Sequence, residues 1–586
     1  MIAKTDFVLL HPPSLYDFRK SPVMHGPISD VVPSTPIFEF YPIGFVSISE
    51  YLERHDFRVR IINVALKMLK NPRFDVERLI ASLNPRLFGL DLHWMAHIQG
   101  ALALAEIIKR YHPNTPVILG GLSATYYHEE ILERYRQVDF VARGDSTEEP
   151  LRQLLDVLRD GKDVQKIPNL SWRDVTGKIH INPLSYVPDN LDHIAIDYRH
   201  IMKKVIRYLD PFGYAPFFNW FTYPVTAAFT CRGCVHDCNT CGGSGDAFKA
   251  MACRKRPAFR SPDLLARDIF NSIDHLNAPV MVIGDIFQPG RAYGLRFLSA
   301  LKERRIKNHI AFEFFRPPSR EKLEKIAEAV PNFNIEISPE SHDEEIRHRF
   351  GRHYDNQSLE EMIEKALDLD CKRIDLFFMT GLPGQTAQSV LDTVAYCRDL
   401  LERFGRSRRV IPFISPMAPF LDPGSSVFEN PQEFGYKIHY RTAEEHRQAL
   451  LSPSWKYMLN YETEWMNRDE IVYSTYEAAL KLNQLKAHYG LLDRKTATVI
   501  GRRIQEAITL MHEIDRVVER CGPADQEKEL RTLGVRFNHL DIATICGKDE
   551  LQWPTHFFRM NWFKILKTLL MPIRPYIAPV EKSDGS

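Results

Sequence analysis

The 586-residue sequence contains no run of eighteen apolar residues, which a membrane-spanning helix would require. We find no signal peptide, no low-complexity segment and no internal repeat, so we expect a cytoplasmic protein. The formal net charge is only +1, which argues against a surface that binds nucleic acid. Hydrophobic residues make up 44% and charged residues 26% of the chain, as in ordinary globular proteins. This length predicts roughly two to four domains.

Cysteine is also scarce, with nine in the whole chain, and an intracellular protein with so few is not expected to form disulfides. Three of them, Cys234, Cys238 and Cys241, form a CxxxCxxC run in the segment CVHDCNTC. Thiolates are soft ligands that suit zinc or iron–sulfur clusters. This spacing lets one short loop place three sulfurs around a single four-iron cluster. The fourth iron then stays open to a small molecule that binds through its amino and carboxylate groups.

Cys231 adds a fourth thiol and leaves two other interpretations open. The segment CRGCVHDCNTC can be divided into two CxxC pairs, as in a zinc ribbon, but only three residues separate the pairs. A zinc ribbon needs a longer separation so that a knuckle or hairpin can fold back. A closed cluster that is held by all four thiols and transfers electrons is the other alternative.

Residues 1–160 alternate between continuous apolar strands and amphipathic helices. Strands are predicted at DFVLLH, FRVRIINVA, LFGLDLHW, PVILGG and VDFVARGD, with helices between them. This pattern predicts an α/β domain with a doubly wound, Rossmann-like parallel sheet. Ligands of such sheets bind at the carboxyl ends of the strands. The loops of interest are therefore residues 11–14, 91–94, 120–125 and 143–148.

A second alternating pattern covers residues 223–445, with six strand–helix units that predict a partial TIM-like (β/α)6 barrel. Several predicted strand ends carry polar residues or turns that face the active-site end of such a barrel. Each has a simpler explanation when taken alone, because a strand-end carboxylate can interact with a helix dipole and a turn can precede an N-cap. The strand ends are Gly284-Asp285, Pro339-Glu340-Ser341, Gly381-Leu-Pro383-Gly384-Gln-Thr386 and Asp422-Pro-Gly424-Ser425.

The rest of the chain is predicted to be a linker, residues 161–222, and a helical C-terminal domain, residues 446–586. Helical periodicity at 469–489 and 495–520 predicts a cap that closes the barrel mouth. Residues 557–570 form an amphipathic pattern with basic residues opposite the apolar ones. Such a helix can lie on a membrane surface, although a buried docking helix is the favoured interpretation.

The motifs, taken in order, resemble the cobalamin-binding subgroup of the radical S-adenosylmethionine (SAM) enzymes. Thr230-Cys-Arg-Gly before Cys234 is similar to the S-R-G-C segment of that superfamily. Three positions depart from the pattern: Thr240, where an aromatic residue normally packs on adenine, Val235, where Pro is common, and Asp145, where the subgroup usually has Glu. The resemblance implies a [4Fe-4S] cluster on Cys234, Cys238 and Cys241, together with SAM and cobalamin.

The resemblance also assigns cofactor contacts to the strand ends. SAM would be contacted by Gly284, Asp285, Glu340, Ser341, Gly381, Pro383 and Gly384. Cobalamin would be contacted by His11, Pro12, Pro13, His93, Gly120, Gly121, Ser123, Arg143 and Gly144.

Asp91-Leu-His93 is similar to the D-x-H-x-x-G box through which some cobalamin proteins supply a histidine to cobalt. Here the box follows the third strand instead of the first, and Ala96 stands where the glycine is required. We therefore predict cobalamin without a protein histidine on cobalt, and His93 as a loop contact.

The resemblance implies that a 5′-deoxyadenosyl radical abstracts hydrogen from an unactivated carbon, and methyl transfer through methylcobalamin is the favoured outcome. A radical cyclisation or oxidation is the alternative within the family, and a cobalamin- or cluster-binding sensor or electron carrier is the alternative from another class. No catalytic residue is identifiable. The expected partners are a small-molecule, lipid or peptide substrate and an external one-electron reductant. Nucleic acid is not expected, and membrane contact is the less favoured possibility.

Overall fold

The computed structural model describes residues 5–21, 23–27, 35–161, 163–417, 419–537, 545–555 and 560–570. Two mainly parallel sheets form its framework, one in the N-terminal third and one in the middle of the chain. No helix within these ranges combines the length and the apolar character that crossing a bilayer requires.

The first sheet has seven strands, and its first five confirm the predicted doubly wound α/β fold. In chain order they are β1 (Phe7–His11), β2 (Val59–Asn63), β3 (Leu87–Asp91), β4 (Val117–Gly120), β5 (Phe140–Ala142), β6 (Leu170–Arg173) and β7 (Ile179–Ile181). In space the order is β2-β1-β3-β4-β5-β6-β7, and the first five run parallel. Both β1 and β3 are buried at every position, as expected for strands covered on both faces. The order reverses between β1 and β3, so a ligand crevice is expected at their carboxyl ends.

Seven helices cover this sheet. They are α1 (Gly44–Arg54), α2 (Val64–Lys70), α3 (Val76–Ser82), α4 (Ile98–Tyr111), α5 (Leu122–Tyr126), α6 (His128–Arg134) and α7 (Glu148–Asp160). The extended structure predicted within the linker forms β6 and β7, which continue the first sheet in antiparallel orientation. Strand periodicity shows that a segment is extended but not which edge it pairs with. Two helices complete the connection, α8 (Tyr198–Tyr208) and α9 (Pro211–Tyr214).

The second sheet contains the six strands predicted for the barrel. They are β8 (Thr226–Phe229), β11 (Val280–Ile283), β12 (Ile310–Phe314), β13 (Phe333–Glu340), β14 (Ile374–Thr380) and β15 (Val410–Pro416). All pair in parallel, in the sequential order β8-β11-β12-β13-β14-β15. Sequential order is what a partial barrel requires. Among the described residues β8 and β15 do not pair with each other, so the sheet is open.

Seven helices belong to this part. They are α10 (Gly245–Ala252), α11 (Pro262–Ile273), α12 (Arg291–Arg304), α13 (Arg320–Ala329), α14 (Glu344–Phe350), α15 (Asn356–Asp368) and α16 (Ala387–Phe404). A short antiparallel pair, β9 (Cys231–Arg232) and β10 (Ala258–Phe259), brackets the segment that carries the cysteine run. Thr386 is the N-cap of α16 and forms a reciprocal capping box with Ser389, so the G-x-P-G-x-T turn also starts a helix.

The remaining elements are mostly helical, as predicted. They are α17 (Ser426–Glu429), α18 (Ala443–Ala449), α19 (Trp455–Met458), α20 (Arg468–His488), α21 (Arg494–Arg520), α22 (Pro523–Phe537) and α23 (Trp562–Leu570), with one antiparallel pair, β16 (Tyr436–Ile438) and β17 (Tyr461–Thr463).

The C-terminal elements pack on the second sheet, and their predicted closure of its mouth stays a prediction. Helix α20 packs against α16 and β15, at the outer edge of the sheet. Trp553 packs with Met281 and Ala311, and its indole N–H donates to Asp375 at 2.9 Å. The segment around Trp553 therefore fills one face of the sheet. Periodicity predicted the helices correctly, but it does not encode the surface that they pack against.

Candidate functional site

A cavity of about 700 Å³ lies between the two sheets. The first sheet contributes the carboxyl ends of β3 and β4 with the loops that follow them, and the second contributes β8, β11 and the cysteine-bearing segment. Most of the lining is apolar. The wall side chains include Leu9, Tyr41, Phe45, Ile118, Ile196, Phe217, Val225, Met281, Ile283 and Phe315. Among the described residues, the lining ends at Arg352, so the C-terminal helices do not contribute to it.

The three cysteines of the CxxxCxxC run all line this cavity. The segment is held from several sides, since Asn239 N–H donates to Phe350 O at 3.1 Å and Gly242 N–H donates to an Asp422 carboxylate oxygen at 3.0 Å. Burial raises the pKa of the Cys238 thiol to about 11 and raises the pKa values of Cys234 and Cys241 as well. Buried thiols with raised pKa values stay neutral unless a metal takes the place of the proton.

Among the described residues, no three His, Cys, Asp or Glu side chains converge on one point as ligands of a single metal ion would. A four-iron cluster places a different iron against each thiolate, so its ligands are spread apart. The donor set and its spacing fit a cluster of this kind.

Cys231 also lines the cavity, but a glutamine side chain engages its thiol. The Cys231 Sγ–H points to Gln288 Oε1 at 3.5 Å, and Gln288 Nε2 lies 3.7 Å from Cys234 Sγ. Burial raises the pKa of Cys231 to about 12. Gln288, from the loop after β11, was not singled out in the sequence, because a lone glutamine in a loop has no recognisable pattern.

The predicted SAM contact Gly284 lies at the cavity, directly after β11. Its N–H donates to Glu313 Oε2 at 2.6 Å, and Glu313 lines the cavity from β12. Asp285, next in sequence, is turned to accept from Phe287 N–H at 2.7 Å, and burial raises its pKa. Glu313 was missed, although a glutamate inside the apolar strand HIAFEFF is a visible signal.

Glu340 closes β13 with a left-handed backbone, φ 66°, and is almost fully buried. One carboxylate oxygen lies 3.4 Å from Arg352 Nη2, and the other is buried without a hydrogen-bond partner. Burial raises the pKa of Glu340 to about 7, although the Arg352 charge opposes the rise. A buried carboxylate oxygen without a donor fits an amine or hydroxyl group of a ligand. Glu340 itself is not in the cavity wall, whereas Arg352 is.

The other predicted SAM contacts are held within the protein. Ser341 Oγ accepts from Asp343 N–H, and Gln385 Oε1 accepts from Gly381 N–H at 2.8 Å. The turn that contains Pro383 and Gly384 leads into α16. These four residues lie outside the cavity wall, so their role as SAM contacts stays a prediction.

On the first sheet, the predicted cobalamin contacts His93, Gly120, Gly121 and Gly144 line the cavity. His93 follows β3, and burial lowers its pKa, which favours a neutral ring. Ser123 lies just behind this wall, and its hydroxyl donates to His93 O at 3.0 Å. Ser123 therefore positions the loop that presents His93.

The remaining predicted cobalamin contacts lie away from the cavity wall. His11 is fully buried, and its ring nitrogens contact Asp91 Oδ1 at 2.8 Å and Phe38 O at 2.9 Å. Pro12 and Pro13 pack closely against α4 at Gly100. Arg143 is held by the residue that follows β7, since its guanidinium donates to Asn182 O. The structure thus gives these four residues supporting positions, and direct contact stays a prediction.

The two consecutive glycines of this wall, Gly120 and Gly121, have different roles. Gly121 has φ 118°, and a Cβ there would lie 2.5 Å from the His93 Cα atom. At Gly120 a Cβ would have only ordinary contacts, the nearest at 3.9 Å from Ala142. Gly121 is therefore needed for the fold itself, whereas Gly120 leaves room at the cavity.

We expect Gly120→Val to keep the melting temperature close to wild type but to reduce the cobalamin retained after reconstitution about tenfold or more, since its side chain enters the cavity. Gly121→Ala should instead lower the melting temperature, because a left-handed backbone strains an L-residue by roughly 1–2 kcal/mol and the Cβ clashes. Calorimetry and the visible absorption of bound cobalamin measure the two effects. Full cobalamin retention in a well-folded Gly120→Val variant would contradict the assignment of this wall.

Two buried ion pairs join the cysteine-bearing segment to the first sheet. Arg232 Nη2 donates to Glu148 Oε1 at 2.5 Å, and Arg232 Nη1 donates to Glu148 Oε2 at 3.0 Å. Arg254 pairs with Asp145, the residue that departs from the subgroup's usual Glu. Burial alone would raise the pKa of Glu148, but the Arg232 charge and hydrogen bonds hold it at about 2. Neither pairing was predictable from a local pattern, because the partners are 84 and 109 residues apart in the chain.

Comparisons with known proteins agree with this architecture. The B12-binding domain model matches residues 31–154, and the radical SAM superfamily model matches residues 229–397. The first match contains Gly120 and Gly121, and the second contains the three cysteines and Glu340. Both domain types therefore meet at the cavity.

Two curated proteins are similar over part of their length. Anaerobic magnesium-protoporphyrin IX monomethyl ester cyclase of Synechocystis sp. is 28% identical over 142 residues, which cover 24% of this chain and 26% of that protein. Hopanoid C-3 methylase of Methylococcus capsulatus is 23% identical over 219 residues, which cover 36% and 38% respectively. The similarity thus spans less than half of either relative.

Two solved structures share the fold over most of the chain. Radical S-adenosylmethionine methyltransferase TsrM from Kitasatospora setae, with cobalamin and a [4Fe-4S] cluster bound, superposes with a TM-score of 0.56 at 13% identity, covering 91% of this chain and 99% of that one. Cobalamin-dependent S-adenosylmethionine radical enzyme OxsB superposes with a TM-score of 0.50 at 14% identity, covering 92% and 72%. With a B12-binding domain and a radical SAM domain in this order and on this fold, the chain belongs to the cobalamin-dependent radical SAM enzymes.

Proposed function

We propose that this enzyme transfers a methyl group to an unactivated carbon of a substrate bound in the cavity between the two sheets. The observation that carries the proposal is the shared wall: Cys234, Cys238 and Cys241 line the same cavity as His93 and Gly120. Cofactors held by these two groups would face one another across a single space. A substrate in that space could reach both.

The cofactors that fit are a [4Fe-4S] cluster, SAM and cobalamin. The cysteines would hold the cluster, Gly284 and Glu340 would contact SAM, and the loops after β3 and β4 would contact cobalamin. When bound, these groups supply a 5′-deoxyadenosyl radical and a transferable methyl group.

The chain's own residues prepare the cavity for this chemistry. Its mostly apolar wall excludes water, which would otherwise quench reactive species. The Arg352 guanidinium lies at the wall, and its charge partly offsets the effect of burial on the pKa of Cys238. The ion pairs of Arg232 and Arg254 hold the cysteine-bearing segment against the cobalamin side. An apolar cavity suits an apolar substrate or substrate part, such as a lipid, a small molecule or an apolar peptide side chain.

Similarity to a methyltransferase fold and to a C-3 methylase supports methyl transfer over other outcomes. The similarity to a monomethyl ester cyclase keeps a radical cyclisation or oxidation as the second candidate. A sensor or electron carrier would not need the unpartnered carboxylate oxygen of Glu340, so we rank it lower. The enzyme would also need an external one-electron reductant.

With SAM that carries a deuterated methyl group, we expect the label to appear in the product, because methyl transfer consumes SAM in two ways. One SAM yields 5′-deoxyadenosine, and a second yields S-adenosylhomocysteine when it donates its methyl group. Both coproducts should form in equal amounts and only when substrate is present. Mass spectrometry of an anaerobic reaction, with candidate substrates taken from a lipid extract, measures all three species.

Cys234→Ala is the matched control and should yield neither coproduct. Substrate-dependent 5′-deoxyadenosine without S-adenosylhomocysteine and without label in the product would contradict methyl transfer. That result would select the cyclisation or oxidation candidate and leave the cofactor assignments standing.

A further inference from the structure

Helix α23 exposes four of its large apolar side chains, whereas Ile565 and Leu569 are half-buried. The exposed fractions are 70% for Trp562, 77% for Phe563, 56% for Leu566 and 78% for Leu570. Polar contacts hold the helix to the protein: His275 Nε2 lies 2.7 Å from Thr568 Oγ1, and Lys564 Nζ donates to Asp274 at 2.8 Å. The favoured prediction of a buried docking helix is therefore wrong for residues 562–570; Phe558 and Arg559, which belonged to the predicted pattern, lie outside the described residues.

The neighbouring elements are exposed in the same way. Helix α23 packs on α8, which packs on α9. These elements and the segment after them expose Ile206, Leu209, Phe212 and Phe221. Together with the four residues of α23, they make eight of the fifteen large apolar side chains that are exposed in the described part of the chain. We call these eight residues the apolar face.

Basic residues accompany the apolar face. Residues 197–214 contain four Lys or Arg and two Asp, and residues 560–570 contain two Lys and no acid. The two stretches thus carry +4, whereas the whole chain carries +1. Four of these six cations are in ion pairs, Arg199 with Asp197, Lys204 and Arg207 with Glu53, and Lys564 with Asp274. Arg207 and Lys567 are nevertheless exposed to solvent beside the apolar side chains. Exposed aromatic and aliphatic side chains flanked by cations are typical of helices that lie on anionic membrane surfaces.

The apolar face is also connected with the cavity. Tyr198, at the start of α8, and Pro216 and Phe217, just after α9, line the cavity wall. The same stretch of chain therefore forms part of the apolar cavity on one side and of the apolar face on the other. If the apolar face contacted lipid, the cavity would lie next to the membrane.

We propose that the apolar face binds the surface of a lipid bilayer that contains anionic headgroups. The contact is peripheral, because α23 has nine residues and lies along the protein. It goes beyond the proposed reaction and does not depend on it, since the observations concern only exposure and charge. The alternative to lipid is that a second copy of the chain binds the apolar face, which would make the protein a dimer.

The experiment is co-sedimentation of the holoenzyme with vesicles of phosphatidylcholine alone or of an equal mixture with phosphatidylglycerol. We expect binding to the mixed vesicles that falls with rising salt and is much weaker on phosphatidylcholine alone. Trp562→Glu with Phe563→Glu should reduce the affinity about tenfold or more, because two apolar anchors are replaced by anions. Arg207→Gln and Lys567→Gln should each reduce it about fivefold.

Val499→Glu is the matched control, since Val499 is 40% exposed on α21, away from the apolar face. It should bind as the wild type does. Light scattering without lipid, compared for the wild type and the Trp562/Phe563 variant, tests whether a second copy of the chain binds the apolar face instead. Failure of the wild type to sediment with either vesicle, equal loss in the Val499→Glu control, or a wild-type dimer that the variant dissociates would each overturn the proposal.

Discussion

Alanine at Cys234, Cys238 or Cys241 is expected to remove most of the iron that the reconstituted protein binds and to abolish SAM cleavage. Each thiol lines the cavity, and a four-iron cluster with one open iron needs all three of them. The loss should be nearly complete in each single variant, because two thiolates do not retain the cluster. Iron analysis and the yield of 5′-deoxyadenosine after anaerobic reconstitution provide the measurement.

Cys231→Ala is the matched control, since Cys231 is a fourth thiol on the same wall but its thiol is engaged with Gln288. It should keep both iron and SAM cleavage. If Cys231→Ala lost iron as completely as the other three variants, the cluster would be closed by four thiolates. No iron would then be open to bind SAM, and this result would contradict the proposed reaction.

Breaking the Arg232–Glu148 ion pair is expected to destabilise the protein strongly. Glu148→Ala leaves the Arg232 guanidinium without its main partner in a site where both side chains are largely buried. Removing one member of a buried pair costs roughly 3–5 kcal/mol. The apoprotein should therefore melt several degrees lower, and less cluster should be retained because Arg232 lies between Cys231 and Cys234.

The double variant Arg232→Met/Glu148→Leu should recover most of the lost stability, since replacing both partners removes the charges together. Calorimetry of the three apoproteins at neutral pH measures the difference. A double variant as unstable as Glu148→Ala would mean that packing around the pair, instead of its charge balance, determines the stability.

The same pair predicts a dependence on pH. The pKa of Glu148 is about 2 in the folded protein, below the ordinary value of 4.5, so its stabilising effect is present above pH 4.5 and is lost as the pH falls toward 2. The shift corresponds to on the order of 3 kcal/mol. Between pH 5 and pH 4 the wild type should therefore begin to lose this stability, whereas the double variant, which lacks Glu148, should not lose stability through this pair.

The sequence was sufficient for the elements of the fold because their periodicity is local. The five parallel strands of the first sheet, the six strands of the second and the long helices α20 and α21 all lie where apolar patterns predicted them. The pairing of β6 and β7 with the first sheet was not predictable in this way. Strand pairing depends on which edge is free in the folded protein, and a short extended segment carries no such information.

The residues of the candidate site also fall into those that local motifs predicted and those that were missed. The cysteine run, Gly284 and the Gly120-Gly121 pair were singled out in the sequence and lie at the cavity, because their motifs consist of residues that are close in sequence. Glu148, Arg352 and Gln288 were missed, since each acquires its role from a partner that is distant in sequence. Only the folded chain brings these partners together.

The sequence by itself determined the two domain types, the three-cysteine run and the class of chemistry that this run indicates, because local spacing and periodicity encode them. The tertiary structure decided the rest: one cavity shared by both sheets, ion pairs that hold the cysteine segment to the cobalamin side, and a C-terminal helix whose apolar side chains face outward. Helical periodicity shows that α23 has an apolar side. Whether that side is buried depends on the surface it meets, which is a property of the whole fold.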